Sequence, residues 1–219
     1  MLITNAKLRG QKDLVNILIE DNKIAKIGAE VTSEAEEEII DARGNMVSAP
    51  YVDTHCHLDY VGTSGVIRPN MSGTLFEAID IIGEQATFAT KESVKENARK
   101  VIKWQIANGT QFVRTHVNTD EEGLFSLEAL LELREELKEY ITIQIVAFPQ
   151  LGVYKYEHAL ENLEKALQMG ADAIGAIPHF EDTREDGVNS LVEIFKLAKK
   201  YNTLVDVHCD EIDDEQSRF

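Results

Sequence analysis

Strand and helix patterns alternate along residues 46–219, with a regular repeat in the second half of this range. Three apolar, buried-type strands begin at residues 141, 172 and 203, so successive strands start 31 residues apart. This is the length of one strand–helix unit, and such units form parallel sheets with right-handed crossovers. The spacing therefore predicts a parallel sheet covered by helices, as in doubly wound sheets and (β/α)₈ barrels.

Two more strands precede these three, which makes five strand–helix units. The predicted strands cover residues 46–54, 111–117, 141–147, 172–177 and 203–207. The predicted helices lie near residues 74–85, 92–108, 125–138, 157–169 and 188–200, and Asn108-Gly109 and Met169-Gly170 are stop signals. No Gly-x-Gly-x-x-Gly motif follows a strand, which weakens the dinucleotide-binding version of the fold. A complete barrel needs eight units, so we expect a barrel truncated after its fifth strand.

The first 45 residues have a different pattern. Short apolar runs separated by polar turn residues predict a small antiparallel β unit. These runs cover residues 2–8, 14–20 and 23–27, and residues 36–44 add a further strand and turn. The predicted domains are therefore a small β-sandwich portion over residues 1–45 and a β/α barrel portion over residues 46–219.

The composition limits the partners and the compartment. Acidic residues outnumber basic ones by 39 to 22, so the formal net charge is −17 and the surface repels phosphates. We therefore expect neither nucleic acid nor a membrane as a partner. No apolar stretch reaches 18 residues, and the first residues lack a signal-peptide pattern. Together with only two cysteines, Cys56 and Cys209, these features predict a cytoplasmic protein.

The sharpest local motif is the segment 53–59, DTHCHLD, at the end of the first barrel-type strand. Residues i and i+2 of a strand point to the same side, so His55 and His57 can present both imidazoles to one point. Two such imidazoles suit a divalent metal such as iron or zinc, whereas two unrelated histidines near a loop are the alternative. Cys56 points to the other side of a regular strand and is interpreted as a packing residue.

A third histidine, His208, stands at the end of the fifth strand. Strand ends on one face of a barrel converge, so His208 could meet the first two histidines at one metal. Glu211 falls in the following loop, where a carboxylate could move protons for an activated water. The neighbouring acidic residues are alternatives, and an acidic run is also typical of a solvated face. These alternatives are Asp210, Asp213, Asp214 and Glu215.

Gln150 follows the third strand, in the segment 147–150. A carboxamide both donates and accepts hydrogen bonds, which suits the paired edge of a nucleobase or cyclic amide. The alternative is a turn residue that caps backbone groups. Three other side chains are interpreted structurally. His116 and His179 are interpreted as buried histidines with a backbone partner, in preference to groups that contact the site residues or line the pocket wall. Trp104 is interpreted as a packing residue in preference to a stacking platform.

Taken together, these segments resemble the metal-dependent amidohydrolase superfamily, and specifically its bacterial cytosine deaminase branch. The resemblance covers essentially the whole chain. It rests on HCHLD (55–59), SGTLFEAI (72–79), KWQIANGTQFVRTHV (103–117), QIVAFPQ (144–150), GAIPHFEDTRE (175–185) and DVHCDEIDDEQSRF (206–219). It implies a (β/α)₈ TIM-barrel amidohydrolase fold beside a small β-sandwich, with one divalent metal ion, Fe²⁺ or Zn²⁺, at the barrel mouth.

The resemblance also implies the site residues. They are the metal ligands His55, His57 and His208, the proton-shuttling Glu211, and the base-binding residues Gln150, Leu75 and Phe148. The family uses two further residues, a histidine from the sixth strand and an aspartate from the eighth, and this sequence contains neither position. On that ground we expect that the 219-residue chain alone does not deaminate cytosine at an enzyme's rate.

The reaction that the resemblance implies is hydrolytic deamination of cytosine to uracil and ammonia, a step of pyrimidine salvage. One alternative is a deaminase of another cyclic amidine or base, such as creatinine, isocytosine or a modified purine. An alternative of another class is a non-catalytic fragment that acts only as a folding or interaction module. The expected partners are a free nucleobase and, in a homo-oligomer, further copies of the chain.

Overall fold

The computed structural model describes residues 1–32, 38–120, 122–212 and 214–219. These residues divide into two units, Met1–Pro50 and Tyr51–Phe219. Two elements of the sequence analysis are affected by the gaps: the first two residues of the predicted 36–44 segment, and Asp213, lie outside the described residues. Among the described residues, no helix combines the length and the apolar composition that crossing a membrane requires.

The first unit is built on a four-stranded sheet. Its strands are β1 (Leu2–Ala6), β2 (Val15–Glu20), β3 (Lys23–Gly28) and β4 (Ile39–Asp41), in the order β3-β2-β1-β4. The pairs β1–β2 and β2–β3 are antiparallel, as predicted, but β4 pairs in parallel with β1. Asp21 and Asn22 join β2 to β3 with φ of 50° and 59°, the left-handed conformation that two-residue hairpin turns favour.

The second unit alternates strands and helices. Its elements are β5 (Tyr51–Cys56), α1 (Leu75–Ala86), α2 (Lys91–Ala107), β6 (Thr110–Asn118), α3 (Phe125–Leu137), β7 (Thr142–Phe148), α4 (Ala159–Met169), β8 (Ala173–Ala176), α5 (Arg184–Tyr201) and β9 (Leu204–Val207). The sheet order is β5-β6-β7-β8-β9, and every neighbouring pair is parallel. The predicted parallel β/α architecture is therefore confirmed, and all five strands end at the same edge of the sheet.

One apolar core joins these helices to the sheet. Each of α2, α3, α4 and α5 contributes a fully buried aliphatic side chain, which packs with strand residues such as Ile145. The four helix residues are Ile102, Leu130, Leu163 and Ile194. Burying one such side chain stabilises a fold by about 1.5–3 kcal/mol, so this core holds the strand ends in fixed positions.

The first barrel strand begins later than predicted. The prediction placed it at residues 46–54, whereas β5 covers Tyr51–Cys56. Residues 45–47 are instead part of the first unit, because the Lys7 amide donates to the Asn45 carbonyl and the Val47 amide donates to the Lys7 carbonyl. The apolar composition of residues 45–47 alone could not show whether they pair with the sheet of the first unit or continue the first barrel strand.

Helix ends follow local capping chemistry. The predicted stop signals hold, since α2 ends at Ala107 and α4 ends at Met169, directly before Gly170. Helix α5 begins four residues earlier than the predicted residue 188, because the Thr183 hydroxyl accepts a hydrogen bond from the Asp186 amide. A side-chain cap of this kind satisfies an amide that has no partner within the helix.

Trp104 does not pack in the core. The buried positions of α2 are Val94, Ala98 and Ile102, which follow one another at intervals of four residues. Trp104 lies two residues beyond Ile102, about 200° around the helix, so it faces away from the core. Its exposed fraction is 67%, and the interpretation as a packing residue was wrong.

Ion pairs connect α2 to α3 along their exposed faces. Lys91 and Lys95 both contact Glu132, at 2.7 and 2.9 Å, and Arg99 contacts Glu136 at 2.8 Å. The residues follow one another at i, i+4 intervals on each helix, so each charge faces a partner on the other helix. These pairs fix the register of α2 against α3.

Candidate metal and base-binding site

All seven predicted site residues line one cavity at the carboxyl edge of the parallel sheet. The cavity has a volume of about 240 Å³. The seven residues are His55, His57, Leu75, Phe148, Gln150, His208 and Glu211. Ligand cavities commonly measure about 300–1,000 Å³, so this cavity suits a small, single-ring molecule.

Four histidines converge at the floor of the cavity. They are His55, His57, His116 and His208, and one ring nitrogen of each lies within 4.8 Å of those of the others. His55 stands in β5, and His57 directly follows that strand. His208 directly follows β9, and its Nε2 atom lies 3.3 Å from Nε2 of His57. The strand ends therefore bring the three predicted ligands to one point.

The surroundings of this cluster keep His57 and His208 neutral. Burial, together with the nearby His116, His208 and His55, lowers the pKa of His57 to about 3. Burial also lowers the pKa of His208. The Nδ1 atoms of His57 and His208 are buried and have no hydrogen-bond partner among the described residues. Neutral imidazole is the form that binds a metal ion, so the donor set fits a divalent cation.

His116 belongs to this cluster, which the sequence interpretation missed. The residue is fully buried on β6, and its ring centroid lies 4.5 Å from that of His55 and 4.7 Å from that of His208. It has no backbone partner among the described residues; its Nε2 atom instead lies 3.5 Å from Oδ1 of Asp206. The interpretation as a backbone-satisfied histidine was therefore wrong. The convergence argument that placed His208 applies equally to His116.

A polar layer lies beside the histidines in the barrel interior. Arg114 and Asp206 each precede a cluster histidine by two residues, so they share its side of the strand. Arg114 Nη1 lies 2.6 Å from Asp206 Oδ2, and Arg114 Nε donates to Gln144 Oε1 at 2.7 Å. Burial raises the pKa of Asp206, but the hydrogen bonds and charges of Arg114 and His116 together lower it by more, so Asp206 is ionised.

Glu211 contacts a second histidine that the sequence interpretation missed. Oε1 of Glu211 lies 2.8 Å from Nε2 of His179, whose side chain is 1% exposed. No backbone group among the described residues bonds to the His179 ring, so the interpretation as a backbone-satisfied histidine was wrong here too. Burial raises the pKa of Glu211, but the hydrogen bond from His179 and the charge of His208 lower it by more. A carboxylate in this setting is ionised and can accept a proton.

The acidic alternatives to Glu211 do not reach the cavity. Asp210, Asp214 and Glu215 are exposed, and none of the three lines the cavity that holds Glu211. Asp210 has a φ of 55°, a left-handed conformation that turns the chain between His208 and Glu211. The geometry therefore favours Glu211 over the three described alternatives.

Gln150 enters the cavity from the loop after β7. The residue is 6% exposed, and no hydrogen bond joins its side chain to another described residue. The alternative of a carboxamide that caps backbone groups is therefore not supported. Its loop is held from two sides, because the Leu151 amide donates to Asp120 Oδ2 at 2.6 Å and the Val153 amide donates to Glu181 Oε1 at 2.5 Å. A buried, fixed and unsatisfied carboxamide is suited to binding a ligand.

Part of the cavity wall is apolar. Leu75, Ile79 and Ile82 from α1 line it together with Phe148. The Phe148 ring is 1% exposed, and its centroid lies 4.3 Å from that of His208. A flat ring bound here would therefore contact hydrocarbon as well as Gln150, Glu211 and the histidines.

Cys56 lies outside the cavity, as predicted. Its Sγ atom donates to the Arg114 carbonyl at 3.4 Å. Burial raises the pKa of the Cys56 thiol to about 12, so the group stays protonated and acts as a packing residue.

Comparison with known proteins agrees with this geometry. The family model described as "Amidohydrolase family" matches residues 46–219. The solved structure of 5-methylcytosine deaminase from Klebsiella pneumoniae, liganded with phosphonocytosine, is 42% identical with a TM-score of 0.92, over 100% of this chain and 53% of that chain. These matches confirm the predicted fold, as a five-stranded part of an amidohydrolase TIM barrel with a separate small sheet.

Two further relatives carry a different printed name. N-isopropylammelide isopropylaminohydrolase from Burkholderia multivorans has a TM-score of 0.84 at 30% identity, over 99% of this chain and 54% of that chain. N-isopropylammelide isopropyl amidohydrolase from Pseudomonas sp. (strain ADP) is 34% identical over 218 residues, which is 97% of this chain and 53% of the relative. The chain thus spans about half the length of the relatives that it matches.

Proposed function

The chain belongs to the amidohydrolase family, and on that premise we propose that it forms the metal- and base-binding part of a deaminase for cytosine-type bases. The observation that carries the proposal is the convergence of all seven predicted site residues on one cavity. The reaction converts cytosine and water to uracil and ammonia. We place it in the cytoplasm, as a step of pyrimidine salvage.

His55, His57 and His208 would hold the divalent metal that this family generally binds, Fe²⁺ or Zn²⁺. The fit is supported by the convergence of their three imidazoles at one point and by the lowered pKa of His57 and His208, which keeps these two rings neutral. A divalent cation supplies Lewis-acid activation of water for hydrolysis. The Arg114–Asp206 layer next to the cluster keeps His116 oriented through its contact with Asp206.

Glu211 would move the proton. Its ionised carboxylate takes a proton from the attacking water at one oxygen and delivers it to the ring nitrogen next to the carbon that bears the amine. The second proton of the water then passes from the added hydroxyl group to the exocyclic amine, the C–N bond breaks as the C=O bond forms, and the amine leaves as ammonia. The side chain is 29% exposed and lines the same cavity as the histidines, which supports this role.

Gln150 would orient the ring. Its Nε2 group can donate to the ring carbonyl oxygen while Oε1 accepts from the adjacent ring N–H, so the carboxamide matches both groups of a cytosine-type edge. The apolar wall of Leu75 and Phe148 would pack against the ring and exclude water from it.

A second candidate is release of an amine from a related ring, as the printed names of the two N-isopropylammelide hydrolases suggest. The 42% identity to a 5-methylcytosine deaminase favours the pyrimidine, against 30% and 34% for these two relatives. Both candidates use the same metal and proton-transfer residues and differ in the ring that the cavity accepts.

The test is an amine-release assay with Fe²⁺ or Zn²⁺ on a version of the chain extended through three more strand–helix units, beside the 219-residue chain itself. We expect an enzyme's rate from the extended version only. Cytosine, 5-methylcytosine, isocytosine, creatinine and N-isopropylammelide are compared at equal concentration, with Glu211→Gln as the inactive control. Ammonia from the cytosines that depends on Glu211 supports the proposal. A rate in the extended version equal to that of its Glu211→Gln variant with every ring would overturn the proposal and favour a non-catalytic module.

Metal binding is tested separately by titration with Co²⁺, whose visible absorption reports nitrogen ligands. We expect His57→Ala and His208→Ala to weaken binding by at least about a hundredfold, because each removes one of three ligands. His158→Ala is the matched control, since His158 is 59% exposed and lies at the start of α4. Equal affinities in the three variants would contradict the assignment of the ligands.

A further inference from the structure

His179 is brought to Glu211 by two neighbouring strands of the sheet. It stands in the 3₁₀ turn Pro178–Phe180 after β8, and Glu211 stands in the loop after β9. The Nε2–Oε1 distance of 2.8 Å is that of a charge-assisted hydrogen bond. Among the described residues, His179 is the one cationic or imidazole side chain within ion-pair distance of Glu211.

The turn that carries His179 is held firmly. The Phe180 amide donates to the Ile177 carbonyl at 3.1 Å, and Pro178 is buried with its φ fixed by the ring. Helix α5 packs directly against this turn, because a Cβ atom on Gly187 would lie 2.5 Å from the Pro178 carbonyl oxygen. A histidine that is 1% exposed on such a turn has little freedom to change its orientation.

The loop that carries Glu211 is held less firmly than this turn. Asp210 adopts a left-handed conformation with φ of 55°, and the residues on either side of Glu211 are exposed or half-buried. The Glu211 side chain is 29% exposed, so solvent offers it other orientations. The carboxylate therefore depends on a partner for its position in the cavity.

We propose that His179 is a positioning residue for Glu211, through a hydrogen bond from its Nε2–H group to Oε1. The bond leaves the second carboxylate oxygen of Glu211 available to accept the proton of water and deliver it to the ring. His179 itself touches neither the substrate nor the metal ligands in this role. The inference rests on the proposed function, since it assigns a task within that reaction.

The first test measures the contact without turnover. Long-range ¹H–¹⁵N spectra of the Zn²⁺-loaded chain report which nitrogen of each imidazole carries the proton. We expect His179 as the Nε2–H tautomer, and we expect its ¹⁵N shifts to change in Glu211→Ala and to stay unchanged in Glu215→Ala. An Nδ1–H tautomer of His179 would overturn the pairing, and so would His179 ¹⁵N shifts that stay the same in Glu211→Ala. Both results can be read even if the chain is inactive on every base.

The second test measures the consequence for turnover, in the version of the chain extended through three more strand–helix units. His179→Ala should lower kcat by about ten- to a hundredfold, the usual effect of losing a partner that orients a reacting group, with KM and Co²⁺ affinity within twofold of the wild type. His179→Gln should recover most of kcat, because a carboxamide can donate the same hydrogen bond. A purely structural role would lower Co²⁺ affinity or the folded fraction, and Gln would not restore the rate.

A double-variant comparison separates this inference from the proposed function. In a Glu211→Gln background, His179→Ala should cause no further loss, because both changes remove the same step. Losses that multiply in the double variant would overturn the positioning role while leaving the deaminase proposal standing. Turnover that is insensitive to Glu211→Gln would instead overturn the proposed function.

Discussion

Arg114 Nη1 and Asp206 Oδ2 lie 2.6 Å apart, although the two residues are separated by 92 positions in the sequence. Arg114 is on β6 and Asp206 is on β9, with β7 and β8 between them in the sheet. The ion pair therefore crosses the barrel interior. It also adjoins His116, because the second oxygen of Asp206 lies 3.5 Å from that ring.

Removal of the Arg114 charge is expected to destabilise the chain. Arg114→Met leaves the Asp206 carboxylate, which is 23% exposed, without its cation, and we expect a loss of about 1–3 kcal/mol in the free energy of unfolding. The double variant Arg114→Met/Asp206→Leu should recover part of this loss, since no unpaired charge remains. Urea unfolding followed by circular dichroism measures both, and additive losses would contradict a coupled pair.

Gln150 and Glu211 are expected to fail in different ways. In the version extended through three more strand–helix units, Glu211→Gln removes the proton-transfer group but leaves the cavity shape, so kcat should fall by about a hundredfold or more while base binding survives. Gln150→Ala removes the ring-binding carboxamide and should chiefly raise KM or change the preferred base. Steady-state kinetics with cytosine and 5-methylcytosine separate the two patterns. Equal, mild effects from both substitutions would count against the assigned roles.

Gly152 is a position where a single methyl group should disturb base binding. Its φ is 85°, and a Cβ atom there would lie 2.9 Å from the Glu181 carboxylate, which holds the loop of Gln150. Gly152→Ala should lower the free energy of unfolding by about 1–2 kcal/mol, because alanine disfavours the left-handed backbone conformation. The clash with the Glu181 carboxylate should lower it by about 1–3 kcal/mol more.

Gly65→Ala is the matched control for this prediction, because Gly65 has a similar φ of 82° and nothing within 4 Å of an added Cβ. Thermal unfolding and base titration compare the two variants. We expect weaker base binding in Gly152→Ala alone. The same loss of binding in Gly65→Ala would show that displacement of Glu181 is not the cause.

The ion pairs between α2 and α3 predict a stability difference that depends on pH. Hydrogen bonds from Lys91 and Lys95 lower the pKa of Glu132 from its ordinary value of 4.5 to about 2. A depressed carboxylate pKa stabilises the folded state above pH 4.5, and this contribution is lost as the pH falls towards 2.

Glu132→Gln should therefore lower the Tm at pH 7, and its difference from the wild type should shrink between pH 4.5 and pH 3. High salt should reduce the same difference, because the pairs are exposed. Glu139→Gln changes an exposed glutamate beyond the end of α3 and serves as the control. A difference in Tm that stays constant from pH 7 to pH 3 would contradict the assignment.

Much of this architecture could be predicted from the sequence because its signals are local or periodic. The repeat of 31 residues defined the strand–helix units, and capping residues such as Thr183 define the helix starts that the apolar pattern placed less well. The pairing of residues 45–47 with Lys7 is a long-range choice between two sheets, which local composition does not encode.

The candidate site likewise has local features that the sequence predicts and long-range contacts that it does not. His55 and His57 form an i, i+2 pair, so one strand was enough to suggest that they converge. The contacts of His116 with Asp206 and of His179 with Glu211 join different strand ends, and only the folded barrel brings these residues within 4 Å. The sequence around a single histidine at a strand end does not indicate which residue the histidine contacts.

The loop of Gln150 is fastened to the loop after β6 by Asp120 and to the loop after β8 by Glu181. These three loops must consequently shift together, and none of them can be lengthened or shortened without moving the carboxamide. Evolution towards a new ring would then have two routes. One replaces Gln150 itself, and the other alters residues that never meet the base, in the two flanking loops that set where Gln150 stands.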